Sequence, residues 1–138
     1  NKGGPVDLNG VKVSMVRADH SSTFGAPEGP KAGGSEVGFM IAAEGHVIYL
    51  SGDTDIMADM AWFGEYYAPD IGILSAGGHF PMDMKAAAWA AKKYFDFKTV
   101  IPCHYKTFPL LEQSAQALID GLPEVEVIEP EVMKAIEI

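Results

Sequence analysis

The chain has 138 residues, 48% of them hydrophobic, which suits one compact domain with a real core and excludes a disordered segment. Nineteen acidic residues against ten basic ones give a formal charge of −9, a field that repels polyanions and argues against a nucleic-acid-binding module. With one cysteine, Cys103, no internal disulfide can form, and no apolar run reaches the ~18 to 20 residues of a membrane span, so a cytoplasmic protein is expected.

The amino terminus, Asn1-Lys2-Gly3-Gly4-Pro5, lacks both an initiator methionine and the apolar stretch of a signal peptide. Val11 to Val16 then alternates apolar and polar residues, the period of a half-buried strand, and runs into the polar cluster Ala18-Asp19-His20-Ser21-Ser22. Phe24 to Gly34, rich in glycine and proline, reads as a loop of the size of a flap beside a site. Strands are expected at Val37 to Ala42 and Val47 to Leu50, joined by a tight turn at Glu44-Gly45.

The second of these strands ends abruptly in Ser51-Gly52-Asp53-Thr54-Asp55. A carboxylate at the end of a buried strand needs a compensating metal ion, hydrogen-bonded turn or base. Ile56 to Tyr66 reads as a helix with Asp53 or Thr54 as its cap. Ile71 to Leu74 is a short buried strand followed by the glycine-rich loop Ser75 to Pro81, which contains His79. Asp83 opens the clearest helix, Met84 to Phe95, with Lys92 and Lys93 in the last turn, where cations suit the helix dipole. Thr99 to Pro102 is a strand ending at Cys103-His104-Tyr105, and Leu110 to Ile119 reads as an amphipathic helix stopped by Gly121 and Pro123. Val125 to Ile128 and Lys134 to Ile138 look like closing strands.

Strands followed by alternating helices and strands predict an α/β (α+β) sheet with helices on its faces. His20, Asp53, His79 and His104 each fall just after a predicted strand, where α/β proteins place their ligands. Imidazoles and a carboxylate from separate strand ends suit a catalytic zinc, manganese or iron site. His46, inside a strand, reads as an ordinary histidine; Cys103 reads as packing, although a Cys103–His104 nucleophile is an alternative. The paired glycines lack the spacing of a phosphate-binding loop.

The segments Asn1-Lys2-Gly3-Gly4, Ala18-Asp19-His20-Ser21-Ser22, Ser51-Gly52-Asp53-Thr54 and Ile101-Pro102-Cys103-His104-Tyr105-Lys106-Thr107-Phe108-Pro109 resemble the metallo-β-lactamase superfamily. The match is to its bacterial metal-dependent hydrolase branch, related to L-ascorbate-6-phosphate lactonase. The resemblance implies a four-layer αββα sandwich, of which residues 1–138 would be the carboxyl-terminal half in one partial domain. It implies two divalent ions (zinc, manganese or iron) with His20 on the first, Asp53 bridging both and His104 completing the second. His79 and Tyr105 are candidates for substrate contact.

The family's His-x-His-x-Asp-His motif is not in this sequence, so the amino-terminal half is expected as a missing segment or a separate chain. The expected activity is hydrolysis of an ester, lactone or phosphoester bond of a small molecule, anionic ones included, by metal-bound hydroxide. The alternative is a non-catalytic subunit that keeps the fold, in which case an exposed apolar sheet face would demand a partner. A homo-oligomer is left open.

Overall fold

A computed structural model describes all of residues 1–138. Its elements run β1 (Val6–Leu8), β2 (Val11–Arg17), β3 (Thr23–Phe24), β4 (Lys31–Ala32), β5 (Val37–Ala43), β6 (His46–Leu50), α1 (Asp59–Tyr67), β7 (Ile71–Ser75), α2 (Met84–Tyr94), β8 (Thr99–Cys103), α3 (Gln116–Gly121) and β9 (Glu126–Val127). Seven strands form one sheet in the order β1-β2-β5-β6-β7-β8-β9, while β3 and β4 make a small separate hairpin. The first four strands of the sheet pair antiparallel, and β6 to β9 pair parallel. The mixed α/β class expected from the sequence is the class found.

The parallel strands advance across the sheet in chain order, so right-handed crossovers put their helices on one face. Register confirms which face that is. Ser14, Met40, Tyr49, Gly72 and Val100 sit side by side across five strands, and all five are buried. Met40, Tyr49 and Val100 share a core cluster with Met60 and Phe63 of α1, Ala87 and Ala91 of α2, and Leu118 of α3. The opposite face carries Val13, Met15, Phe39, Ile41, Ile48 and Leu50, which are only half-buried and outside that cluster. The sheet thus carries its helices on one face and half-buried apolar side chains on the other.

Several elements differ from expectation for identifiable reasons. The helix expected at Ile56 begins at Asp59, and neither Asp53 nor Thr54 caps it, because both side chains are committed elsewhere. The helix expected at Leu110 is confined to Gln116–Gly121. Before it, Glu112 N–H donates to the Gly77 carbonyl, and the Gln113 amide donates to the Phe108 and Leu111 carbonyls, which holds the chain in turns. Lys134 to Ile138 forms no strand, since it has no ladder to join, and β1 went unread. The flap region is partly ordered as the β3–β4 hairpin.

Two expectations hold in detail. Glu44 (φ 54) and Gly45 (φ 88) both adopt the left-handed conformation that a two-residue hairpin turn requires. Asp83 caps α2 by accepting from Ala86 N–H at 2.7 Å.

Candidate metal centre

His20, Asp53, His79 and His104 all lie in loops just beyond strand ends, after β2, β6, β7 and β8. Asp53 and His104 come together: the His104 Nε2 is 3.3 Å from Asp53 Oδ2, and the pair is open to solvent. Tight packing of backbone makes this convergence. Gly52 (φ 62) has no room for a side chain, since a Cβ there would collide with the Val37 carbonyl. Gly77 stands against His104 in the same way; a Cβ would strike the His104 carbonyl oxygen and lie 3.1 Å from its Nδ1. His104 itself holds a left-handed conformation (φ 62), which is uncommon for a residue with a side chain and is characteristic of functional sites.

Buried hydroxyls orient the carboxylate. Ser75 Oγ donates to Asp53 Oδ1 at 3.1 Å, leaving Oδ2 toward His104. Ser75 N–H in turn donates to Ser51 Oγ, and both serines are fully buried. Thr54, also fully buried, accepts from Asp19 N–H through Oγ1. Sequence reading missed Ser51, Ser75 and Gly77; only their place at strand ends beside the acid and the histidine pointed to them.

The other candidates lie apart from the pair. His20 is in the loop clamped to Thr54 and Asp55, and its Nδ1 is 2.9 Å from the Ser21 carbonyl. His79 is exposed, with its ring edge-on to Phe80. The Tyr105 hydroxyl donates to Glu129 at 2.9 Å, a bond that together with burial pushes its pKa up. No three His, Cys, Asp or Glu side chains gather closely enough to hold an ion. Burial pushes the Cys103 thiol up to about 11, reinforced by the charge of Asp53, so it lacks the thiolate character of a nucleophile. His46 pairs with Asp70 at 2.6 Å, away from this end of the strands.

The donor pair fits a metal ion. Two ligands at the usual ~2.0 to 2.1 Å from a tetrahedral ion stand about 3.3 to 3.4 Å apart. The observed 3.3 Å matches that spacing and exceeds the usual length of a direct N–H···O bond. The second ring nitrogen, Nδ1, is buried without a hydrogen-bond partner.

Known proteins share this sequence and this fold. All 138 residues align with a UPF0173 metal-dependent hydrolase of Ruegeria pomeroyi at 78% identity, and 136 with one of Paracoccus denitrificans at 73%. Over its whole length the chain is similar to UPF0173 metal-dependent hydrolases. The chain spans about 60% of the length of those relatives. No family model matches it. Among solved structures, the metallo hydrolase Igni18 of Ignicoccus hospitalis superposes with a TM-score of 0.77 at 30% identity, over 95% of this chain and 56% of Igni18. The metallo-β-lactamase fold protein YhfI of Bacillus subtilis superposes with a TM-score of 0.68 at 13% identity, over 95% of this chain and 51% of YhfI. The chain therefore has the metallo-β-lactamase fold.

Proposed function

We propose that this segment supplies half of the active site of a metal-dependent hydrolase acting on an ester, lactone or phosphoester of a small molecule. The observation that carries the reading is the His104–Asp53 pair, spaced as ligands of one ion and backed by buried serines. His104 and Asp53 would hold the metal, Asp53 would be the bridge if two ions bind, and His20 would join from the loop clamped alongside. Bound there, a zinc, manganese or iron ion would activate water and stabilise developing negative charge. The chain's own contribution is placement: Ser75 fixes the Asp53 carboxylate, and Gly77 allows His104 to sit against it.

Two donors are fewer than the three protein ligands of a typical catalytic zinc site. The bare apolar face of the sheet, beside a site that lacks donors, supports completion by further polypeptide that covers this face and brings the remaining ligands. The 60% coverage of the relatives agrees with that reading. Its natural setting would be the cytoplasm, consistent with a single unpaired thiol.

The test is Asp53→Ala in the natively purified protein. Loss of both bound metal and hydrolysis is expected. Metal content and turnover equal to wild type would refute the role of the pair and favour a non-catalytic module.

A further inference from the structure

Three of the four strand-end loops meet at Thr54. Its hydroxyl accepts from Asp19 N–H at 2.9 Å and donates to the Asp55 carbonyl at 2.8 Å. Asp55 N–H donates back to the Asp19 carbonyl at 2.9 Å, so the His20 and Asp53 loops are stitched by a closed pair of bonds. The carbonyl of Thr54 accepts from Met82 N–H at 3.3 Å, which attaches the loop carrying His79. The side chain is fully buried, and its hydroxyl serves no helix, since α1 starts at Asp59 with Ala58 in the capping position. A structural threonine in a turn satisfies its own loop; this one satisfies a backbone donor thirty-five residues away.

Resting on the metal-site reading above, we infer that Thr54 is a positioning residue whose hydroxyl sets the His20 loop against the Asp53–His104 pair. It binds nothing itself. It ties the loop that carries His20 to the loop that carries Asp53, and so sets the starting point from which His20 can join the pair on one ligand. Replacing its hydroxyl with a methyl group keeps the volume and removes both of its bonds, the one from Asp19 N–H and the one to the Asp55 carbonyl.

The experiment compares Thr54→Val with Thr54→Ser in the natively purified protein, using Co2+ as the probe ion and amide hydrogen exchange as a metal-independent readout. In T54V, the Asp19 amide is expected to exchange at least about tenfold faster while amides of β7 and β8 are unchanged. Co2+ affinity is expected to fall about 10- to 100-fold, the usual effect of losing an outer partner of a ligand. T54S should restore both, because it keeps the hydroxyl. If T54V does not fold, Thr54→Ala against T54S carries the same comparison. Equal Co2+ affinity in T54V and wild type, or equal defects in T54V and T54S, overturns the inference. Wild-type protein that takes up no Co2+ instead refutes the metal-site reading on which it rests.

Discussion

Gly77→Ala adds one methyl group at a tightly packed point beneath the candidate site. The new Cβ would strike the His104 carbonyl oxygen, lie 3.1 Å from its Nδ1 and 3.3 Å from Leu111 Cδ2. The first obstacle is backbone, which cannot rotate away, so the His104 loop must retreat by about 1 Å to recover ordinary contact. Overpacking of this kind costs about 1 to 3 kcal/mol, a fall in Tm of roughly 3 to 12 °C for a domain of this size. Stability alone does not test the site, so the control is Gly72→Ala. There a Cβ would meet the Phe97 ring at 2.9 Å, in the core beneath the helices and at the other end of β7. Both variants should lose stability in thermal unfolding. Only G77A should also lose Co2+ affinity, by about 10- to 100-fold, since it alone displaces a ligand. If G77A binds Co2+ as tightly as G72A does, the argument that Gly77 exists to admit His104 is wrong.

Two further outcomes follow from the same geometry. Ser75→Ala removes the only side-chain donor recorded on Asp53 Oδ1, and should cost about 1 kcal/mol in denaturant unfolding and about tenfold in Co2+ affinity; unchanged affinity would mean that the carboxylate orients itself. Glu129 is held below the usual carboxylate range, first by its bond from Lys106 and then by that from Tyr105. A carboxylate whose folded pKa is depressed stabilises the fold above its unfolded value and loses that effect as pH falls through the folded value. Protection of the Glu126 and Ile128 amides against hydrogen exchange, relative to an unfolded chain at the same pH, should therefore fall on acidification below the ordinary carboxylate range, and Glu129→Gln should show the same loosening at neutral pH. Exchange that does not change with either would show that Glu129 is not what holds the segment.

The legible parts of the fold were those written in short-range pattern. Alternation marked β2, short apolar runs marked β6, β7 and β8, and Asp83 with an alanine-rich run marked α2. Elements set by distant bonds were misjudged. Nothing local to Leu110 shows that Glu112 N–H is taken by Gly77, and nothing local to Thr54 shows that its hydroxyl answers Asp19. The same division runs through the site. Asp53 and His104 could be read because an acid and an imidazole at strand ends are conspicuous, and the structure brings those two together. Ser51 and Ser75 could not, because a buried serine has no sequence signature until its partner across the sheet is known. His79 stands at a strand end like the others, and its loop sets its ring edge-on to Phe80 at the surface.

The most direct test of the central claim is native mass measurement with metal analysis on protein purified as it occurs. The account predicts that this 14.8 kDa stretch is found within a larger assembly, as part of a longer chain or beside a second polypeptide, with about two divalent ions bound. A lone 14.8 kDa species without metal would contradict it, leaving the fold in place and the hydrolase reading withdrawn.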